Sequence, residues 1–291
     1  MSSKIDLEKI LSEKFGRQIS VESISSIGGG CINETARIKT SAGIFFAKWN
    51  DAKHFPKMLE AEAKGLKLLK EANEIKVPEV ISWKIIRDTQ YLILEFIESS
   101  SMEKHFWYNF GKSLAKLHKH PSADGKFGLD HDNYIGSLPQ SNKQHNSWTE
   151  FFILERLEQQ IKMARDAGKI GNGISQRFQK LFSQLEKIFP IEKPSLLHGD
   201  LWSGNYMVGN SGEPVIIDPA VYFGHHEMDI AMTKLFGGFD SEFYFAYHEE
   251  FPLEKDWQKR TDICNLYPLM VHVNLFGGSY ATQVENILKS F

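Results

Sequence analysis

Apolar positions change their period about a third of the way along the chain. Ile5, Leu7, Ile10, Leu11 and Phe15 recur at helical spacing, which predicts a short amphipathic helix closed by Gly16. Residues 19–27, 32–38 and 44–49 then read as strands. Gly28-Gly29-Gly30 separates the first two, and the turn Thr40-Ser41-Ala42-Gly43 separates the second from the third. Strand, glycine loop, strand, turn, strand is the order of an antiparallel meander and not of a βαβ unit. Helical period returns over 55–73, with Phe55, Leu59, Glu62, Leu66 and Leu69 near one face. Pro78 breaks the chain before a strand at 80–86, a turn at Asp88-Thr89-Gln90 and a strongly apolar strand, Tyr91–Ile97. The small polar run Glu98-Ser99-Ser100-Ser101 is the best linker. The expected division is therefore a nucleotide-binding lobe, residues 1–97, and a catalytic and substrate lobe, residues 98–291.

Beyond the linker the pattern is mostly helical. Residues 102–118 carry Phe106, Phe110, Leu114 and Leu117 on one stripe. Residues 121–146, rich in Gly, Asp, Asn, Ser and Pro, read as a long polar loop, and loops of that length inside a domain are commonly functional. Ser147 and Glu150 form a capping box for a helix running to Ala167 and closed by Gly168. A further helix covers about 174–189, stopped by Pro190 and Pro194. Short strands at 206–208 and 215–217 flank the turn Gly209-Asn210-Ser211-Gly212. The rest, from about Met228, reads as helical with breaks near Gly237-Gly238 and Pro252. The fold class expected is α+β: an antiparallel-sheet lobe followed by a larger, mainly helical one.

Composition narrows the function classes. At 291 residues, 42% apolar and 24% charged, the chain has enough apolar material for well-buried cores. A net charge of −3 without a long Lys/Arg run supplies no field for a nucleic-acid backbone. No segment approaches the roughly 18 apolar residues of a membrane span, and the first residues have no apolar signal core. A cytoplasmic protein without nucleic-acid or membrane partners is expected. Two cysteines, Cys31 and Cys264, make neither a disulfide framework nor a zinc site.

Chemistry concentrates in Leu197-His198-Gly199-Asp200-Leu201-Trp202-Ser203-Gly204-Asn205 and the following Ile216-Ile217-Asp218-Pro219. Asp200 and Asn205 have the D-x-x-x-x-N spacing of a phosphotransferase catalytic loop. In such a loop the Asp accepts the proton of the attacking hydroxyl. The Asn helps hold Mg²⁺, and an Asp on the next strand, here Asp218, completes the metal site. Gly28, Gly29 and Gly30 would let backbone N–H groups approach a triphosphate, although a plain hairpin turn is an equal reading of three glycines alone. The P-loop spacing is absent. Lys48 on the third strand, followed by Glu62 on the next helix, gives the order of an ion pair that positions the α/β-phosphates. Glu60 competes with Glu62 but lies farther from the apolar stripe. Backbone groups of Glu95, Phe96 and Ile97, at the end of the last strand, are candidates for an adenine edge. His198 is expected to stabilise the loop and is grouped with Trp202 on the substrate side. Trp202 either packs the loop down or walls a sugar or alkyl amine. Asp229 reads as structural, an acidic residue opening a helix. His225-His226-Glu227 is not read as a metal site, because adjacent histidines do not share a helix face. Arg156, between Glu155 and Glu158, reads as part of a solvated face. Cys31, beside the glycines, is either a small buried hydrophobe or a redox-sensitive thiol able to cap the nucleotide site or link two subunits.

Taken together, these residues resemble the fructosamine kinase (ketosamine 3-kinase) family, related to aminoglycoside and choline kinases and more distantly to protein kinases. The resemblance runs over nearly the whole chain. It is most specific at His198–Asn205, where Trp202 follows His-Gly-Asp-Leu. Supporting stretches are Gly28–Asn33, Phe45–Lys48, Glu62–Leu66, Asn133–Ser137 and Ile217–Ala220. His198-Gly199-Asp200 stands where protein kinases have H-R-D, and Asp218-Pro219-Ala220 where they have D-F-G; the missing Arg argues against control by activation-loop phosphorylation. The resemblance implies a two-lobed, protein kinase-like fold. It also implies ATP- and Mg²⁺-dependent phosphorylation of the sugar 3-hydroxyl of a small-molecule or protein-bound ketosamine, by a monomer or a redox-linked homodimer. The phosphate destabilises the adduct and frees the amine, a deglycation repair. Asp200 would be the base, Asn205 and Asp218 the Mg²⁺ ligands, and Lys48 with Glu62 the phosphate-positioning pair. Trp202 and the 121–146 loop would line the sugar pocket. Alternatives are a small-molecule kinase of the aminoglycoside or choline type and a nucleotide-binding pseudokinase.

Overall fold

Helix α1 (Ser2–Phe15) opens the chain and is followed by β1 (Val21–Ser26), β2 (Glu34–Thr40) and β3 (Gly43–Asp51), then α2 (Met58–Ala72), β4 (Val80–Ile86) and β5 (Thr89–Glu95). The structure is a computed structural model and describes residues 2–28 and 32–291, the side chain of Ser2 excepted. The expectations placed on Gly29, Gly30 and Cys31 lie outside the described residues. The five strands form one antiparallel sheet in the order β1-β2-β3-β5-β4. Strand alternation puts Phe45, Ala47 and Trp49 on one face, where they join Ala36, Ile38, Tyr91 and Ile93 in a core with Leu7, Ile10 and Leu11 of α1. The same period of two turns Lys48 to the opposite face. Helix α2 starts at Met58, three residues later than the periodicity suggests: Pro56 lies just ahead of it, and Lys57 takes a left-handed conformation at φ 63°. It ends on Asn73, also left-handed, whose N–H returns to the Lys70 carbonyl.

Helix α3 (Phe106–His118) leads to a hairpin, β6 (Asn133–Ile135) and β7 (Leu138–Gln140). The long polar loop expected at 121–146 therefore contains a short hairpin. Its amides do not face water. Gln140 Nε2 and Asn142 Nδ2 donate to Asn133 Oδ1 at 2.7 and 2.9 Å, and Asn133 Nδ2 donates to the Val221 carbonyl at 2.8 Å. Polar composition here reports a satisfied buried network instead of solvation. Ser147 caps α4 (Trp148–Phe151) by accepting the Glu150 N–H, as the capping box predicts. The helix then passes through a π-helical stretch, Phe152–Leu157, into α5 (Glu158–Asp166). Helices α6 (Asn172–Phe182) and α7 (Leu185–Ile188) precede β8 (Ser195–Leu197), β9 (Tyr206–Val208), β10 (Pro214–Ile216) and β11 (Tyr222–Gly224). Helices α8 (Glu227–Leu235), α9 (Ser241–Glu250), α10 (Trp257–Phe276) and α11 (Ser279–Leu288) complete the chain. Among the described residues no helix is long and apolar enough to cross a membrane.

Contacts group the chain into two compact units: Met1–Phe106 with Met207–Asp218, and Trp107–Tyr206 with Pro219–Phe291. The segment 207–218 is tied to the first unit by backbone bonds, Ile216 N–H to the Lys76 carbonyl at 3.0 Å and Glu103 N–H to the Gly212 carbonyl at 3.1 Å. Lys76 Nζ also meets Glu213 Oε1 at 2.7 Å. The second unit has its own core, in which Phe151, Phe152, Phe178, Leu197, Leu266 and Met270 are fully buried.

Candidate active site

In the first unit Lys48 is the centre of charge. Only 3% of the residue is exposed, and its Nζ lies 2.6 Å from Glu62 Oε1 and 2.6 Å from Asp218 Oδ1. Burial alone would push this ammonium down, but Asp218 and Glu62 outweigh it and hold it above the ordinary lysine value. Burial raises Glu62, and Lys48 offsets that only in part. The Lys48–Glu62 pair expected from sequence order is formed. Glu60 instead pairs with Lys64 along α2 at 2.9 Å. Asp218 is placed differently: its side chain is 52% exposed and its backbone is left-handed at φ 54°. A non-glycine residue held there stores strain, which suits a group over-determined by its surroundings and turned outward for a ligand. At the end of β5, the Glu95 N–H donates to the Glu79 carbonyl at 2.8 Å, and the Arg37 guanidinium lies 5.3 Å from the centre of the Phe96 ring. Ile97 is buried, and Gly28 is exposed in the bend after β1.

In the second unit the His198–Asn205 loop hangs from Asp229. Its two carboxylate oxygens accept the N–H groups of His198 at 2.7 Å and Gly199 at 2.9 Å. His118 Nε2 lies 3.1 Å from the same carboxylate, and His118 Nδ1 lies 2.7 Å from the Tyr247 hydroxyl. Burial opposes the Asp229 charge, yet His118, His198 and the Gly199 amide hold its carboxyl below the usual range, while burial keeps His118 below its usual value. An ionised Asp229 thus accepts from the Nε2–H of a neutral His118, whose Nδ1 accepts from Tyr247. Asp229 is structural, as expected, but its work is to fix the catalytic loop rather than to charge a helix terminus. The sequence hides this because its partners are main-chain amides 30 residues away. His198 is fully buried, and its Nδ1 accepts the Asp200 N–H at 3.3 Å.

The geometry explains why glycine stands at 199. Its φ is +83°, and a Cβ would lie 2.1 Å from the Ala220 carbonyl oxygen. Ala220 N–H in turn donates to the His198 carbonyl at 2.9 Å, so the two segments, just beyond β8 and just ahead of β11, interlock with no room for a side chain. Downstream, Asn205 turns its Nδ2 onto Asp200, at 2.8 Å from the carbonyl and 3.0 Å from Oδ2. That holds the Asp200 carboxylate in place and leaves the Asn205 amide oxygen free of this contact. Trp202 folds over Gly204, where a Cβ would meet the indole at 2.4 Å. It packs edge-on against Phe236 at 5.9 Å, yet remains 37% exposed.

Two readings of the sequence are corrected in this unit. Arg156 is fully buried, with its guanidinium 4.0 Å from the Tyr222 ring centre and 4.5 Å from that of Phe151. It donates to the Ser141 carbonyl and to Asn142 Oδ1. Counting helical period through a π-helical stretch assigns it the wrong face. His225 and His226 precede α8, so the helix-face objection does not apply to them; both are buried.

Each unit holds groups of the kind that bind a hard cation or phosphate. In the first unit these are a half-exposed carboxylate at Asp218 and a buried ammonium at Lys48 whose charge two carboxylates sustain; in the second, Asn205 offers an amide oxygen. The chain is 38% identical over 290 residues to the chloroplastic protein-ribulosamine 3-kinase of Arabidopsis thaliana, covering 98% of this chain and 86% of that protein. It superposes on a crystal structure from Haemophilus somnus, assigned as a fructosamine-3-kinase, with a TM-score of 0.88 and 29% identity over 98% and 96% of the two chains. Aminoglycoside phosphotransferase APH(4)-Ia shares the protein kinase-like α+β fold, with a TM-score of 0.64 at 14% identity over 100% and 99% of the two chains. The fructosamine kinase profile matches residues 3–291, and the chain belongs to the fructosamine kinase family.

Proposed function

We propose that this protein is an ATP-dependent ketosamine 3-kinase acting in the cytoplasm, with a ribulosamine or fructosamine on a small amine or a protein as its acceptor. The observation that carries the reading is the buried Lys48 held by Glu62 and Asp218, in a chain of this family whose catalytic loop is fixed on Asp229. Family membership and the relative's ribulosamine 3-kinase activity support the acceptor class. In this reading Lys48 binds the α/β-phosphates, with Glu62 keeping the ammonium charged and aimed. Phe96 and Ile97 offer main-chain groups to adenine, since the Glu95 N–H is already engaged. Gly28, Gly29 and Gly30 cover the phosphates. Asn205 and Asp218 hold Mg²⁺, which when bound neutralises charge on the transferring phosphate.

Asp200 accepts the proton of the sugar 3-hydroxyl as the O3–Pγ bond forms and the bond from Pγ to the bridging oxygen of ADP breaks. Trp202 and the 121–146 segment line the sugar side, and His198 shapes the loop beneath it. Loss of the phosphorylated sugar would then release the amine, giving deglycation repair.

Two measurements test the reading. A coupled assay of ADP release against ribulosamines, fructosamines, choline and aminoglycosides should show turnover with a ketosamine. Turnover confined to choline or an aminoglycoside would replace that acceptor, and ATP binding without any acceptor would make the chain a pseudokinase. Asp200→Asn should lose on the order of 10²–10⁴-fold in turnover, and unchanged turnover would remove Asp200 as base.

A further inference from the structure

The β8·β11 ladder ends with Ser195 opposite Gly224, so the segment before β8 and the residues after β11 leave the sheet side by side. Glu192 and the pair His225-His226 meet there. The His226 N–H donates to Glu192 Oε1 at 3.0 Å, which fixes the carboxylate against the turn. Its other oxygen lies 2.7 Å from His226 Nδ1, and His225 Nδ1 lies 3.4 Å from Oε1. Among the described residues these three offer one ligand atom each, all within 4.8 Å of one another. The imidazoles stack at 5.1 Å and 16°. Their burial is complete or nearly so, with 0% and 1% exposed.

What points to a ligand is the state of the ring nitrogens. His225 Nε2, His226 Nδ1 and His226 Nε2 are buried with no hydrogen-bond partner. His226 Nδ1 and Glu192 Oε2 thus stand 2.7 Å apart without hydrogen-bond geometry. Buried polar atoms left this way are unfavourable unless something satisfies them. His225 Nδ1 accepts the Glu227 N–H at 3.3 Å, so Nε2 is the nitrogen that His225 has to offer; the rings beside the pair are apolar, Phe189 at 5.1 Å from His225 and Phe251 at 4.7 Å from His226. The nearby cation, Arg260, is engaged with both carboxylate oxygens of Glu227 at 2.6 and 2.7 Å. Glu192 is the one partly open member, its side chain 16% exposed, so a cation would reach the pair from that side and could keep a water as a further ligand.

We propose that Glu192, His225 and His226 form a binding site for a transition-metal dication of the zinc type, separate from the residues proposed to hold Mg²⁺. Two imidazoles and one carboxylate are a borderline-soft donor set that favours Zn²⁺ or Co²⁺ over Mg²⁺. With metal–ligand bonds of about 2.0–2.2 Å, the three groups need only small side-chain adjustments. The ion would clip the open end of the β8·β11 ladder, and β8 runs straight into His198-Gly199-Asp200. Its role is structural, a brace behind the catalytic loop.

The test uses the full chain without a histidine tag, stripped of metal by chelation and studied without nucleotide in excess Mg²⁺. Titration with Co²⁺ should give one equivalent bound, with the visible absorption of a nitrogen-ligated, low-coordinate ion, and Zn²⁺ should displace it and raise the Tm. E192Q, which keeps an oxygen for the His226 N–H, should weaken Co²⁺ binding by about ten-fold or more and abolish the Tm rise; D218N should alter neither. Should E192Q fail to fold, H226Q makes the same comparison, and the wild-type Co²⁺ spectrum stands without any variant. The proposal is overturned by the absence of stoichiometric Co²⁺ binding, by a spectrum of an all-oxygen octahedral ion, by binding that persists in E192Q, or by binding lost in D218N.

Discussion

At Gly199 a single hydrogen atom separates a working loop from a collision. A Cβ would stand 2.1 Å from the Ala220 carbonyl oxygen, and the φ of +83° is itself unfavourable for any other residue. Backbone, not a flexible side chain, is what it would meet, so relief requires moving the strand that follows Asp218. Gly199→Ala should therefore lower stability by about 2–4 kcal/mol, combining the left-handed penalty with overpacking, and turnover should fall with it. Gly16 supplies the comparison: φ is +64°, but nothing lies within 4 Å of a Cβ there. Gly16→Ala should show only the backbone part, about 1–2 kcal/mol. Thermal unfolding of the two variants separates the contributions, and equal losses would contradict the steric account. The sequence marks Gly199 as unusual beside the kinase pattern, but Ala220 as its reason is visible only once both strands are placed.

At the level of elements, legibility followed the kind of signal. Strand alternation predicted the antiparallel meander, and the order of Lys48 and Glu62 predicted their pairing, because both depend on short-range periodicity and one intervening helix. The 121–146 segment was legible as a polar loop but not as one holding a hairpin, because its amides Asn133, Gln140 and Asn142 satisfy one another when buried and no apolar alternation marks the strands. Arg156 misled for a related reason. The π-helical stretch Phe152–Leu157 inserts extra residue spacing, which carries the guanidinium inward between aromatic rings. Planarity matters there, since a guanidinium stacks flat between rings while presenting its donors in a fixed fork, and a compact ammonium cannot do both at once. Arg156→Lys should consequently cost about 2 kcal/mol or more, read as a lower midpoint in urea. A midpoint within experimental scatter of the parent would show that the buried charge alone, and not its planar shape, holds the 141–142 turn.

Over the whole chain, the proposed chemistry is divided between the two compact units. Lys48, Glu62 and Asp218 belong to the first, Asp200 and Asn205 to the second, and the grouping changes between Asp218 and Pro219. No hydrophobic pattern announces that 207–218 returns to the N-terminal unit; backbone bonds to Lys76 and Glu103 bring it there. The division implies that nucleotide binding and turnover can be damaged independently. Lys48→Met and Asp218→Asn remove charge-assisted contacts from the nucleotide side, each worth about 1.5–3 kcal/mol. Titration calorimetry should show Mg²⁺–ATP affinity reduced about 10- to 100-fold in either. Asp229→Asn acts on the other side: it leaves the His198 and Gly199 amides with a weaker acceptor and loosens the loop that aims Asp200. Its expected signature is a lower kcat with Mg²⁺–ATP affinity unchanged. Normal nucleotide affinity in Asp218→Asn would remove that carboxylate from the metal site, and a nucleotide defect in Asp229→Asn would show that the loop anchor is not confined to the catalytic side.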